Sequence, residues 1–237
     1  MLLEQLGRVN SRLLVKIPLA VLFVAGLVWA WSQLHQPDTL PINSVRIEGS
    51  YNHIKREQLE KTVMPFIQMG FFAMDVTSLQ KRLLELPWVS RASVSRIWPD
   101  NLLIRITEQQ AVARWGQQSL LSTNGELFTP ETDTLPSGLP EIKGPLGQQK
   151  QVLHRYQSLA AMLIPLGLHI LEFDVSPRRA VVLRLNNGME LLLGRTGQEK
   201  RLERFVNAYH QIFGSQGSEA KRVDLRYPNG MAVNWKP

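Results

Sequence analysis

Ser78 and Lys81 stand three residues apart, and on a helix that spacing sets a lysine amine beside a serine hydroxyl. The pattern is the Ser-x-x-Lys of penicillin-binding acyl-transfer enzymes, in which the serine attacks a carbonyl carbon. That chemistry needs further groups to hold the substrate and move the proton, and no Lys-Thr-Gly triplet accompanies the pair. The pair also falls inside a short amphipathic run, VTSLQKRLLEL, that places Val76, Leu79, Leu83 and Leu86 on one face behind Asp75, a good N-cap. Ser78 and Lys81 are therefore read as helix-surface residues.

Other catalytic constellations are absent. The histidines are His35, His53, His154, His169 and His210, and no two share the i, i+4 spacing of a helical zinc site. The chain has no cysteine, which excludes disulfides and thiolate metal sites. There is no G-x-G-x-x-G and no phosphate-binding P-loop. Glu57, Glu60 and Lys61 read as a solvated helix face, as do Lys200, Arg201, Glu203 and Arg204. With no nucleophile, metal set or cofactor motif, the expectation is a non-enzymatic protein without cofactor or metal.

The chemistry must then lie in surfaces, and the elements decide which ones are available. Formal net charge is +7 over 237 residues, a balance that favours acidic partners or anionic lipid. The basic residues form no stripe interleaved with aromatics, so nucleic acid is excluded as the partner. From Ile17 to Leu34 there is no charge, and about 18 residues at ~1.5 Å each span most of a ~30 Å hydrocarbon core. Pro18 stands near the start of this run, with Trp29 and Trp31 near its far end, where interfacial aromatics belong. Arg8, Arg12 and Lys16 precede it against Glu4 alone, and Asp38 is the first charge after it. The expectation is a cytoplasmic segment 1–16, a single transmembrane helix 17–34 with its N-terminus inside, a linker 35–41 and an exported remainder. The alternatives are a cleaved signal peptide and a buried core helix.

After the linker the pattern predicts a strand at 44–49, a helix with Leu59, Val63, Phe66 and Ile67 inward, and the helix behind Asp75. Two strands follow around Trp98-Pro99-Asp100-Asn101, the first projecting Ala92, Val94, Arg96 and Trp98 to one side, the second Leu102, Ile104 and Ile106. Residues 42–112 thus form a small β-α-α-β-β domain with both helices on one face of its sheet. Residues 113–237 read as a mostly antiparallel β domain with two helices. Asn124-Gly125 and Asn187-Gly188 mark hairpin turns, and the Pro- and Gly-rich residues 130–148 read as loop. The fold class is α+β. The last strand region, Val223 to Trp235, ends the chain, and such strands often lie at a sheet edge that can accept another strand. Tyr227 and Trp235 are there either as binding anchors or as core residues.

Taken together, INSVRIEG, FFAMD, LPWVSRASVSRIWPDNLLIRITEQQAVARW, GELF, LNNGMELLLGR, KRLERF and the ending VDLRYPNGMAVNW resemble the FtsQ/DivIB family of bacterial cell-division proteins over essentially the whole chain. Two positions depart from the family pattern, Ala111 before the Ala-x-Trp and Ser122 before the following turn. The resemblance implies a POTRA-like first domain and an inner-membrane divisome scaffold that joins FtsB and FtsL to control septal peptidoglycan synthesis. It implies a partner-binding region containing Arg226, Tyr227, Gly230 and Trp235, with Arg178 and Arg179 as contacts for acids. The rival readings are a POTRA-containing assembly or secretion factor of the envelope, an exported cell-wall enzyme, and a tethered binder of small molecules or lipids.

Overall fold

A computed structural model describes residues 11–34, 40–49, 51–214 and 219–236, with side chains in the first helix described for 18–29, 31 and 32. Residues 1–10 of the expected cytoplasmic segment lie outside the described residues, as do 35–39 of the linker, His35 among them. The chain divides into two units, Met1–Glu108 and Gln109–Pro237. Helix α1 runs Ser11–Leu34 with Pro18 inside it. Its apolar side chains, Leu22, Phe23, Leu27, Trp29 and Trp31 among them, are exposed. Among the described residues no helix is long and apolar enough to cross a membrane.

The first unit continues with β1 (Ser44–Glu48), α2 (Arg56–Ile67), α3 (Val76–Leu84), β2 (Val89–Ile97) and β3 (Asn101–Glu108). The strand order is β1-β3-β2. β2 and β3 form the antiparallel hairpin read from the sequence, and β1 lies parallel to β3 on its other side. The parallel pairing follows from the two helices between β1 and β2, which carry the chain back across the sheet. Leu59 and Val63 of α2, Leu79 and Leu83 of α3, and Leu102, Ile104 and Ile106 of β3 are all buried. Phe66 and Ile67, expected inward, are only half-buried, because Pro65 falls in the last turn of α2. Along β2 the expected row changes character: Ala92 is buried, Val94 half-buried, and Trp98 at the hairpin tip is 77% exposed. The other end of the sheet is closed by Glu108, whose carboxylate accepts the amides of Asn52 (3.0 Å) and His53 (2.7 Å), while His53 stacks on Trp88 with ring centroids 4.2 Å apart.

The second unit is one nine-stranded sheet. Its strands are β4 (Ala111–Trp115), β5 (Ser119–Ser122), β6 (Leu127–Phe128), β7 (Glu141–Lys143), β8 (Ile170–Val175), β9 (Val181–Leu185), β10 (Glu190–Gly194), β11 (Ala220–Asp224) and β12 (Ala232–Trp235), with helices α4 (Gln149–Leu163) and α5 (Gln198–Ile212). The order across the sheet is β12-β11-β10-β9-β8-β7-β4-β5-β6. Five neighbouring pairs are antiparallel. Three are parallel: β4·β7, β7·β8 and β10·β11. The third of these is a β-α-β crossover through α5. Leu159 and Leu163 of α4, Leu202 and Phe205 of α5, and Phe173, Leu183, Leu191 and Val223 of the sheet are at most 1% exposed and belong to one core.

Residues 130–148 are not all loop. β7 lies within them, between β4 and β8, with Ile142 fully buried. Three residues between Pro140 and Gly144 are too few to display an alternation. Yet this short strand joins the β4–β6 meander to the rest of the sheet.

A candidate partner-binding edge at the last strand

β12 is the end strand of the nine-stranded sheet and, among the described residues, pairs with β11 alone. The hairpin sets Asp224 opposite Ala232, Val223 opposite Val233, Arg222 opposite Asn234 and Ala220 opposite Trp235. The far side of β12 therefore presents backbone donors and acceptors with no strand beside them, the template on which another chain can pair. Behind it, the register carries one row of polar side chains across seven strands: Arg114, Glu141, Glu172, Arg184, Glu190, Arg222 and Asn234. Ion pairs link the row at Arg114–Glu141 (3.5 Å), Arg184–Glu172 (3.4 Å) and Arg222–Glu190 (2.8 Å). Each keeps one partner well exposed to solvent, and such pairs add little energy. Their row ends, at the edge, in an uncharged asparagine.

The six residues singled out from the sequence fall into separate places. Tyr227 is 55% exposed and Trp235 41% exposed, so neither is a core side chain. They flank the hairpin at opposite ends: Tyr227 follows β11 beyond Asp224, and Trp235 sits opposite Ala220, its ring 5.8 Å from that of Phe213 at the close of α5. Gly230 lies in the loop between the strands, and a Cβ there would meet nothing within 4 Å. Internal packing therefore does not demand a glycine at 230.

Arg178 and Arg179 form the β8–β9 turn, where Arg179 takes φ 63° and donates its amide to Ser176 O at 2.8 Å. This turn lies at the Tyr227 end of the sheet. Gln198, buried at the start of α5, donates to Arg179 O (3.4 Å), Gly194 O (2.8 Å) and Arg195 O (3.3 Å). A Cβ on Gly194 would in turn stand 3.1 Å from Arg226 Cγ. Arg178, Arg179 and Arg195 carry no ion pair among the described residues and are exposed. Arg226 differs. Its guanidinium donates to both Asp224 oxygens, Nε to Oδ1 at 2.9 Å and Nη2 to Oδ2 at 2.6 Å. That hydrogen bond holds the Asp224 carboxyl below the usual carboxylate range and raises Arg226. The charge of Arg226 is thus already shared with Asp224.

Two residues assigned to a solvated face do something else. Arg204 of α5 donates to the carbonyls of Leu225 (3.3 Å), Tyr227 (2.9 Å) and Pro228. Arg201, one helical turn earlier, donates to Leu193 O at 2.5 Å. Both are partly buried, and Arg204 fixes the loop that presents Tyr227. The signal was their i, i+3 spacing flanking the buried Leu202 and Phe205, which puts both beside the sheet. Replacing Arg204 with alanine removes three bonds to carbonyls that face no other described donor. Amide exchange across 226–230 should then accelerate at least about tenfold, while β10 keeps its protection. Exchange unchanged in that loop would show that Arg204 does not hold it.

The remaining catalytic candidates resolve into structure. Ser78 donates its hydroxyl to Asp75 Oδ2 at 2.6 Å, and Thr77 N donates to Asp75 Oδ1 at 2.9 Å, so the serine belongs to a helix cap. Those bonds, Ser78 first, lower the Asp75 carboxyl. Lys81 is exposed. The Ser-x-Asn companion motif of the acyl-transferases, expected to be absent, has one match in form, Ser122-Thr123-Asn124. Ser122, 1% exposed, instead accepts the amides of Asn124 (3.3 Å) and Glu126 (3.2 Å) on its hydroxyl, the bonding an aspartate would give in the same turn. The concavity between β1 and α2 is lined by Val45, Ile47, Leu59, Val63, Met64 and Ile67 together with Tyr51, Arg56 and Glu60, and the last two are paired with each other at 2.8 Å. Among the described residues no group of three His, Cys, Asp or Glu could hold a metal ion.

The architecture defines a class: a small POTRA domain followed by a β domain that ends in an open edge. Residues 40–109 match the POTRA domain of FtsQ type, and residues 113–226 match the C-terminal domain of cell division protein FtsQ/DivIB. The cell division protein FtsQ of Coxiella burnetii is 39% identical over 223 residues, covering 94% of this chain and 92% of the relative. That of Methylomonas methanica is 36% identical over 92% of this chain and 88% of its own length. The chain belongs to the FtsQ/DivIB family of cell-division proteins.

Proposed function

We propose that this protein is a non-enzymatic, single-pass scaffold of the bacterial divisome that captures a segment of FtsB, in company with FtsL, by adding it as a strand to β12. The observation that carries the proposal is the open edge of β12, with an exposed aromatic at each end of its hairpin and exposed arginines at one end. Backbone hydrogen bonds supply affinity along the edge, Tyr227 and Trp235 supply anchors, and Arg178 and Arg179 meet acidic side chains. In this reading residues 1–16 are cytoplasmic, 17–34 cross the inner membrane, 35–41 link, and 42–112 and 113–237 work in the periplasm at the septum. The uncharged run from Ile17 to Leu34 supports the anchor, as does the exposure of Leu22, Phe23, Leu27, Trp29 and Trp31 on α1. Through this contact the scaffold coordinates septal peptidoglycan synthesis.

The absence of native cysteine makes strand addition directly testable. With Asn234→Cys in this chain and cysteines moved one at a time through the FtsB segment, mild oxidation should give a disulfide at one register position and its immediate neighbours. Binding that persists while no position cross-links to residue 234 would reject the strand-addition geometry.

A further inference from the structure

The first unit gathers exposed apolar side chains at one end, and chain connectivity says what lies beside that end. Asn43 donates its amide to Asp100 O (3.0 Å) and its side-chain amide to Asp100 Oδ2 (2.8 Å). Ser44 is in register with Asn101. The β2–β3 hairpin tip is thus fastened to the residues with which the domain begins. Leu40 O accepts the amide of Phe71 at 2.9 Å, Phe71 stacks edge-on with Phe72 at 5.4 Å, and the Arg96 guanidinium lies 6.0 Å from the Phe71 ring. One contiguous end therefore holds Phe72 (36% exposed), Ile97 (45%) and Trp98 (77%).

Nine residue steps join Leu34, the last residue of α1, to Asn43, a reach of about 30 Å at full extension. We infer that this end of the POTRA domain is a membrane-docking surface, with Trp98 and Ile97 seated in the headgroup region of the bilayer that α1 enters. The inference rests on the membrane-anchored reading of α1. Tryptophan suits the site: an apolar ring with one N–H donor is most stable at the boundary between hydrocarbon and water. The feature is a hairpin tip with Trp98 77% exposed, a shape that inserts into a soft surface. Arg46 on β1, exposed and without an ion pair among the described residues, suits anionic headgroups, as does Arg96 beside the tip, whose guanidinium also donates to Met74 O. The acid facing them, Asp100, is held by the amides of Asn43 and Asn101, and Glu48 is paired with Arg105 at 2.9 Å. Docking would fix the direction in which the domain leaves the membrane, an orientation the linker alone would leave open.

The test uses the full chain in vesicles of phosphatidylethanolamine and phosphatidylglycerol that carry a fluorescence quencher in the upper acyl chain. An environment-sensitive probe is placed on single cysteines at Val24→Cys in α1, Ile97→Cys at the tip and Thr107→Cys at the opposite end of β3. Positions 24 and 97 should each be quenched at least about twofold more than position 107. Adding Trp98→Ser to the Ile97→Cys chain should bring quenching at 97 down towards the level at 107, with amide protection of β2 and β3 intact. Quenching at 24 but not at 97 overturns the inference while the anchor stands, and leaves the tip for a protein partner. No quenching at 24 overturns the anchor and the inference together. Equal quenching at 97 and 107, or quenching at 97 indifferent to Trp98→Ser, overturns docking by the tip.

Discussion

On the proposed strand addition, replacing Tyr227 with alanine should lower the affinity of this chain for an FtsB segment by roughly 5- to 150-fold, the ~1–3 kcal/mol of a binding hot spot. The expectation follows from how the residue is held. Its carbonyl is bonded by Arg204 at 2.9 Å, so its backbone is placed before any partner arrives. Its ring is 55% exposed and contributes little to the fold, so truncation removes contact area and little else. Trp235 lacks that separation: its ring rests on Phe213 at 5.8 Å, and alanine there would disturb both binding and the end of α5. Titration calorimetry with the purified segment measures the effect, and amide exchange across β10 and β11 shows whether the fold is intact. An affinity within twofold of the parent, with exchange unchanged, would remove Tyr227 from the binding surface.

The second large effect concerns stability. Gly49 directly follows β1 with φ 134°, a backbone conformation essentially confined to glycine, and a Cβ there would lie 2.1 Å from the carbonyl oxygen of Ile106. That oxygen is main chain in β3, the central strand of the first sheet, and it cannot withdraw without disturbing the ladder. Gly49→Ala should therefore cost more than about 3 kcal/mol, at the high end for a single substitution. Amides of β1 and β3 should lose most of their exchange protection. Those of β9 and β10, in the other unit, should keep theirs. Full protection in β3 of the variant would mean that the turn after β1 relaxes at little cost.

How much of this could be read beforehand varied with the physical signal. The first domain was legible almost entirely, because helix periods in α2 and α3 and a strand period in β2 and β3 stand in unbroken runs between clear stops. The open edge was legible from the position of the last strand in the chain. β7 was not: its single buried Ile142 has no periodic neighbours, and its place in the sheet depends on strands distant in sequence. The parallel pairing of β10 with β11 was implicit in a strand–helix–strand order. Arg201 and Arg204 were misassigned because charge suggests solvent, whereas a long side chain on a buried-side flank can turn inward to carbonyls. Ser122 shows the converse, a small buried residue whose hydroxyl accepts two amides of its own turn.

β12 is four residues long. On an extended strand only alternate residues aim their N–H and C=O groups at a given side, so an incoming chain meets about four such groups. At a net ~1 kcal/mol each, main-chain pairing alone gives about 4 kcal/mol, a millimolar dissociation constant. A complex of that kind comes apart quickly unless side chains at its two ends detain it. On the proposed strand addition, shortness would make the assembly readily reversible: whatever withdrew the contacts at Tyr227 or Trp235 would release the added segment from β12.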